Sequence, residues 1–355
     1  MRRQYLSFSR LAPVWVGCRR DPDLPGAGIT PLILGGEGPA GALRRALFKQ
    51  AGVVPDPALL AGLGAAGVHA QFGRGGALAL PLARRLGLKL VVTFHGGDAH
   101  KDVHYRTRPW PGIFARRLPA LLDAAALFVC VSEGVREKLL ARGFPAAKLV
   151  VIPIGVEPVA AAVTPPASGH LLFVGRMVEK KGVFVLLDAL ARLRAAGDAT
   201  PAVLVGDGEL HAAVAARARA IGAITLPGWQ TPDQVQAWMT GALGLVVPSV
   251  IGRGGDAEGL PSVAMEAMML GVPLIASDAA GLGTVLDDGE PGRDGVPGWQ
   301  VAAGDPAALA GALAALIGDP AGRAAHAAAA RAIARCRFDA RRQSAALEAA
   351  LLAVL

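Results

Sequence analysis

Aromatic residues make up only 5% of this 355-residue chain, and just two of them are tyrosines. Its cores must therefore be built from alanine, leucine and valine. A hydrophobic content of 53% with 46 glycines is ample for two packed α/β layers. Cysteine is nearly absent too. Cys18, Cys130 and Cys336 lie far apart, which excludes the close pairs of a zinc site or a disulfide framework, and they read as reduced cytosolic thiols. No run of about 20 apolar residues is present, so no helix is expected to span a bilayer. Met1-Arg2-Arg3-Gln4 leads directly into mixed sequence, so no secretory leader is expected.

Length points to two domains. The formal charge of +8 is unevenly spread: residues 1–168 hold 21 Lys and Arg against 10 Asp and Glu, and residues 169–355 hold 15 against 18. A basic first half suits an anionic partner. Arg106, Arg108, Arg116 and Arg117 interleave with Tyr105, Trp110, Ile113 and Phe114, a mix that fits an anionic membrane surface, with a solvated basic face as the plain alternative. Nucleic acid is disfavoured, because neither a recognition helix nor a stacking platform is evident.

Strands and helices alternate. The first half reads as a helix over 40–50, a strand from Val68 running into a glycine loop at Gly73, a helix over Ala77–Leu86 and a strand over Leu88–Phe94. A strand within Asp123–Val131, a helix over Glu133–Arg142 and a strand over Leu149–Ile152 follow. Pro158, Pro165 and Pro166 mark a link, and alternation restarts with strands near 171–174, 202–205, 223–226, 244–247, 273–276 and 299–301. Such alternation implies parallel sheets with ligands at strand C-terminal ends. The expected division is 1–157, a linker over 158–168, a second domain over 169–335, and a final helical stretch from 336, whose helix Ala340–Leu355 packs back on the first domain. Gly62-Leu63-Gly64-Ala65-Ala66-Gly67 matches a dinucleotide fingerprint but precedes a strand, so it reads as a helix end.

The most informative stretch is Asp256-Ala257-Glu258-Gly259-Leu260-Pro261-Ser262-Val263-Ala264-Met265-Glu266. Pro261 fits a first helical turn. The N–H groups around Ser262 and Val263 then face out of a helix N-terminus and form an anion site. Glu258 falls just before this helix and Glu266 about one turn inside it, at most roughly 12 Å apart along the axis. A ligand with hydroxyls at both ends and an anion between them fits. Glutamates on helices are usually solvated, but Glu266 lies in an apolar run where a carboxylate is costly without hydrogen bonds. Upstream, the strand Leu171–Val174 runs into Gly175-Arg176 and then Lys181-Gly182, with a helix over Val183–Leu193. Arg176 offers a planar fork for phosphate oxygens and Lys181 a movable point charge.

These pieces resemble the family-4 retaining glycosyltransferases of the two-domain GT-B fold. The matching stretches are His95-Gly96-Gly97-Asp98, Val131-Ser132-Glu133, Ile154-Gly155-Val156, Gly175-Arg176 with Lys181-Gly182, Gly206-Asp207-Gly208, Pro248-Ser249, and Glu258 to Glu266 followed by Gly271-Val272-Pro273. They cover about residues 65–320 in order. The wording around Glu258 is most similar to exopolysaccharide enzymes of the colanic acid and amylovoran type. The resemblance implies two Rossmann-like domains facing across a cleft and a UDP- or GDP-sugar as donor, with no cofactor. It implies a glycan acceptor, lipid-linked in the sense of surface polysaccharide assembly, and a cytoplasmic enzyme peripheral to the inner membrane face. In it Arg176 and Lys181 stabilise the leaving diphosphate, and Glu258 with Gly259, Leu260, Pro261, Ser262 and Val263 meets the donor. Glu266 binds ribose, and the base lies near Gly206, Asp207 and Trp229. His95, Gly96 and Asp98 stand on the acceptor side. No residue offers itself as a covalent nucleophile, and the resemblance implies front-face displacement, in which the leaving phosphate accepts the acceptor proton.

No metal is expected. Asp21-Pro22-Asp23 lies in a Pro/Gly-rich loop, and Asp256 with Glu258 sits beside cations that can meet a diphosphate unaided. Such enzymes normally begin with a strand, a glycine-rich loop and a helix. Here Gln4-Tyr5-Leu6 is expected to begin within or after that helix, with the first βα unit of the N-terminal domain missing; a truncated, silent nucleotide-binding paralogue is then one alternative, and a sugar-nucleotide epimerase, which would share the GT-B fold, is another.

Overall fold

A computed structural model of the chain describes residues 2–5, 7–18, 30–100, 112–159, 169–286 and 295–355. It divides into two compact units, Met1–Ile152 with Ser344–Leu355, and Pro153–Gln343.

The first unit is built on four parallel strands in the order β3-β4-β5-β6: Gly67–Gln71, Lys89–Phe94, Ala125–Cys130 and Leu149–Val151. Two short strands, β1 (Val16–Gly17) and β2 (Leu32–Ile33), pair in parallel with each other, and Gly38–Ala51 forms a helix after them. Leu90, Val91, Val92 and Phe94 of β4 are all buried, as a parallel strand covered on both faces requires. The helix after β3 starts at Gly73, not at Ala77, and runs to Leu86. Its first glycines are packing positions: a Cβ at Gly73 would come 2.6 Å from the Phe94 ring, and one at Gly76 2.7 Å from Val92. Only small residues let this helix approach β4, so glycines that read as loop belong to the helix. The Pro57–Ala61 helix ends at Gly62, in agreement with the glycine run there being a helix end.

The chain returns to this unit at its C-terminus. Leu347 and Leu351 of the Ala340–Leu352 helix pack with Val91, Val129 and Ile152. Glu348 on the same helix accepts the N–H groups of Ser9, Arg10 and Leu11 at 2.7–3.0 Å and the Ser9 hydroxyl at 3.2 Å.

The second unit holds six parallel strands in the order β12-β11-β10-β7-β8-β9, namely Gly298–Val301, Leu274–Ser277, Ala242–Val247, His170–Val174, Ala202–Val205 and Ile224–Gly228. Every residue of β8, β10 and β11 is buried. The Ser262–Leu270 helix is buried on nearly all sides through Ala264, Met265, Ala267, Met268, Met269 and Leu270. Pro261 is the extended N-cap of this helix (φ −72°, ψ 117°), outside its first turn. Residues 153–157 belong to this unit. Val156 exchanges backbone hydrogen bonds with Phe338 and Ala340, and the lack of a side chain at Gly155 admits the Ala340 backbone, which a Cβ would meet at 2.3 Å. Residues 160–168 of the expected linker lie outside the described residues.

Burial alone would raise the Glu348 pKa, but the three N–H groups and the Ser9 hydroxyl outweigh it and hold the carboxyl below its ordinary range. A lowered acid pKa contributes stability that is fully present above the unfolded value, about 4.3, and is lost as pH falls through the folded value. Glu348→Ala should therefore lower the thermal midpoint by several degrees at pH 7 and by much less at pH 3. Circular dichroism melts at both pH values check this, and an equal drop at each would assign the effect to packing instead.

Candidate functional site

In the second unit, β7 ends at Val174 and the chain turns through Gly175 and Arg176 into a short 3₁₀ turn, Glu179–Lys181. Gly182 then adopts φ +65°, and a Cβ there would overlap the Pro248 carbonyl oxygen at 1.7 Å. The turn is thus seated directly on the loop that follows β10. Gly206, at φ +132°, brings the loop after β8 against Gly175 in the same way, with 2.0 Å from a hypothetical Cβ to the Gly175 oxygen. Gly281 (φ +71°), in the loop after β11, admits the Gly259 and Glu258 carbonyls of the loop after β10. Three left-handed glycines therefore lock four strand-end loops together.

That packing gathers charge. Lys181 Nζ lies 3.2 Å from Glu258 Oε2, and Lys180 Nζ lies 3.5 Å from Glu258 Oε1 and 3.2 Å from Asp256 Oδ1. The Glu258 side chain is only 11% exposed and both lysines are 16% exposed. Glu258 Oε1 is buried and accepts no hydrogen bond among the described residues, so it retains lone pairs for a donor group. The Lys181 stem rests on Gly175, its Cδ 3.5 Å from where a Cβ would stand. Arg176 is exposed beside it. Glu266 is half-buried on the Ser262–Leu270 helix, whose first residue, Ser262, is exposed and followed by half-buried Val263. Gly259 and Leu260 complete the loop between Glu258 and Pro261. Asp207 is exposed, its carboxylate accepting the Gly208 N–H at 2.7 Å while its carbonyl accepts Met177 N–H at 2.8 Å. Trp229, 70% exposed, stands at the end of β9.

The first unit gathers a second cluster at the ends of β3 and β4. Asp98 accepts N–H groups from Gly73 (2.9 Å), His95 (2.9 Å) and Gly96 (3.0 Å), which ties the two strand-end loops together. Burial raises its pKa and those bonds oppose the rise. His95 packs on Phe72 with ring centroids 4.5 Å apart. Phe72 holds φ +66°, a left-handed backbone that a bulky residue adopts only under strain. His95 Nε2 lies 2.6 Å from Gln71 Oε1.

The structure therefore brings together Lys181, Glu258 and the Gly175 turn, and in the other unit His95, Gly96 and Asp98. Sequence reasoning missed Lys180, which reads as a solvated charge beside Lys181, and missed Gln71, whose role depends on strand register. Asp256 is paired with Lys180 rather than with a second carboxylate. Among the described residues, no three His, Cys, Asp or Glu side chains converge as a metal would need. Asp21 and Asp23 lie outside the described residues, as do Tyr105, Arg106, Arg108 and Trp110 of the basic aromatic stretch. Of the rest of that stretch, Phe114 is 2% exposed. It packs on Phe94 in the core, which removes it from any surface patch. Arg116 donates to Gln50 and Arg117 to the Ala77 carbonyl. Burial pushes the Cys130 thiol up to about 12, which keeps it protonated and unreactive. No helix among the described residues is long and apolar enough to cross a membrane.

Residues 12–159 match the model of glycosyltransferase family 4, and residues 168–319 that of glycosyl transferases group 1. The amylovoran biosynthesis glycosyltransferase AmsK of Erwinia amylovora is 30% identical over 68% of this chain and 59% of its own length. The putative colanic acid biosynthesis glycosyltransferase WcaL of Escherichia coli is 29% identical over 69% of this chain and 60% of its own. The chain thus spans about three fifths of the length of these curated relatives. Anabaena HepE, solved in complex with UDP, shares the fold with a TM-score of 0.74 at 18% identity, covering 93% of this chain and 88% of that one. The lipopolysaccharide outer core galactosyltransferase WaaB, in its apo form, does so with a TM-score of 0.64 at 20% identity over 94% and 87%.

Burial lowers the pKa of both His69 and His95 to about 4 from the ordinary 6.5. A lowered histidine pKa means that the unfolded chain takes up its proton first as pH falls. Stability is then lost between about pH 6.5 and 4, with the raised Asp98 working in the opposite direction at the acid end. Urea unfolding followed by Trp fluorescence should show a midpoint that drops across this window, with a shallower drop in His69→Gln. A midpoint flat from pH 7 to 4.5 would contradict the burial of neutral imidazoles.

Proposed function

The chain belongs to the family-4, group 1 glycosyltransferases, whose two domain models its halves match in turn, and on that premise we propose that it moves a sugar from a nucleoside diphosphate sugar to a glycan. The observation that carries this reading is Glu258, its side chain 11% exposed, bracketed by Lys180 and Lys181 and followed four residues later by the N-terminus of the Ser262–Leu270 helix. A sugar hydroxyl can donate to the Glu258 carboxylate, whose Oε1 accepts no hydrogen bond among the described residues. A diphosphate can meet Lys181, Arg176 and the helix N–H groups. Electrostatic stabilisation of the departing anion is the main way such a site lowers the barrier. Glu266 is assigned to the ribose hydroxyls, and the Gly206-Asp207 and Trp229 loops to the base.

The transfer is proposed to retain configuration at the sugar carbon. The acceptor oxygen attacks from the leaving-group face and its proton passes to the departing diphosphate, so no protein nucleophile is required. UDP- or GDP-sugars are the donor class. A lipid-linked glycan on an anionic membrane surface is the proposed acceptor setting, motivated by the basic charge of residues 1–168, with the enzyme at the cytoplasmic face and its product a surface polysaccharide.

Arg176→Ala or Lys181→Ala should weaken binding of the preferred nucleoside diphosphate by about 1.5–3 kcal/mol, the range for charged hydrogen bonds. Calorimetric titration with UDP, GDP and ADP measures this, and unchanged affinity in both variants would overturn the assignment. Donor turnover should also survive excess EDTA, because Asp256 is engaged by Lys180 and cations already face the diphosphate. Loss in EDTA reversed by manganese or magnesium would contradict metal independence.

A further inference from the structure

The polar groups beneath His95 form one continuous chain. Thr93 Oγ1 lies 2.7 Å from His69 Nε2. His69 Nδ1 lies 2.9 Å from the Tyr5 hydroxyl. That hydroxyl lies 2.9 Å from Gln71 Nε2, and Gln71 Oε1 lies 2.6 Å from His95 Nε2. The arrangement follows from register. Gln71 pairs with Thr93 across β3 and β4, and His69 stands two residues before Gln71 on the same face of β3. Tyr5 reaches this face from the Arg2–Tyr5 turn and is held by edge-on contacts to Phe8 and Trp15 at 5.1 and 5.3 Å.

Each link constrains the next. An amide oxygen only accepts, so His95 must donate from Nε2–H to Gln71 Oε1. The Gln71 amide then donates to the Tyr5 oxygen, and the Tyr5 hydroxyl donates its one proton to His69 Nδ1. His69 must in turn carry its proton on Nε2 and donate it to Thr93. Both imidazoles are neutral at pH 7, so each has one N–H to place, and the chain uses both. Both His69 nitrogens and His95 Nε2 are engaged, which leaves His95 Nδ1 with no hydrogen bond among the described residues. The ring itself is clamped by Phe72 on its face and by the Asp98-bound N–H of His95.

We propose that Gln71, Tyr5 and His69 are positioning residues that hold His95 as its Nε2–H tautomer and so present Nδ1 as an acceptor for a substrate hydroxyl. The inference rests on the function proposed above only in naming a sugar hydroxyl as the group that Nδ1 receives. Turning the Gln71 amide over would reverse every link at once and make His95 an Nδ1–H donor. The polarity of the chain and the chemistry offered to substrate are therefore one property.

Long-range ¹⁵N–¹H correlation spectra of the full chain at pH 7, with His69 and His95 assigned by substitution to Gln, read the tautomers directly. Both should be Nε2–H. Tyr5→Phe keeps the ring contacts but deletes the hydroxyl two links away from His95. It should replace the single His95 tautomer with a mixture. Gln71→Glu removes the donor to Tyr5 while still accepting from His95, so it should switch His69 to Nδ1–H and leave His95 as Nε2–H. An Nδ1–H signal for His95 in the unsubstituted chain would overturn the proposal, as would a His95 tautomer that Tyr5→Phe leaves unchanged. Absence of donor turnover in a chain with the expected tautomers would count against the transferase reading alone.

Discussion

Both main sheets of this molecule are wholly parallel, and that constraint fixes where chemistry can occur. A parallel pair needs a crossover of a dozen residues or more, here in the main a helix, so each strand hands the chain to a loop at the same edge of its sheet. In the second unit that edge collects the turn after Val174, the Gly206 loop, the Pro248 loop and the Gly281 loop. In the first it collects the Phe72 and His95 loops. Neither cluster of functional groups is assembled by neighbours in sequence alone. Lys181 and Glu258 are 77 positions apart and meet because β7 and β10 are adjacent in the sheet.

Close approach at that edge depends on missing side chains. Gly182, Gly206 and Gly281 all hold positive φ with a carbonyl oxygen where a Cβ would stand. Their conformations and their contacts reinforce each other, since an alanine at any one would meet strain and overlap together. In the first unit a carboxylate plays the corresponding part: Asp98 binds N–H groups from both loops, a joint that needs no close backbone contact.

The strands were legible because parallel, doubly covered strands are continuous apolar runs, as in Ala-Leu-Gly-Leu-Val-Val of β10. The helix N-terminus after Glu258 was legible from Pro261 and the apolar residues behind it, though the proline caps that helix rather than opening it. Gly73, Gly75 and Gly76 misled for a physical reason. Glycine lowers helix propensity locally, but here the gain from packing a helix against Phe94 and Val92 exceeds about 1 kcal/mol per glycine of lost propensity. Phe114 misled because alternation with arginine gives no sign of which side faces the core. Lys180 and Gln71 were not legible, because each matters only through a partner on another strand or loop, and one sequence does not reveal register.

The two clusters differ in what they ask of water. Beneath His95 every polar group is neutral and paired in a single chain, so burial costs little and the arrangement is rigid. Around Glu258 two cations, Lys180 and Lys181, face two carboxylates. Burying such ions is expensive, and their mutual attraction offsets that cost only when the remaining hydrogen bonds are made. Glu258 Oε1 lacks one. The partial positive charge of the Ser262–Leu270 helix N-terminus, which has no side-chain cap hydrogen bond, adds to that demand. A ligand that carries hydroxyls beside a diphosphate would satisfy both deficits at once. A nucleobase or a bare sugar would satisfy at most one. The unmet electrostatic demand of the second unit, more than its shape, is what selects the class of donor proposed for it.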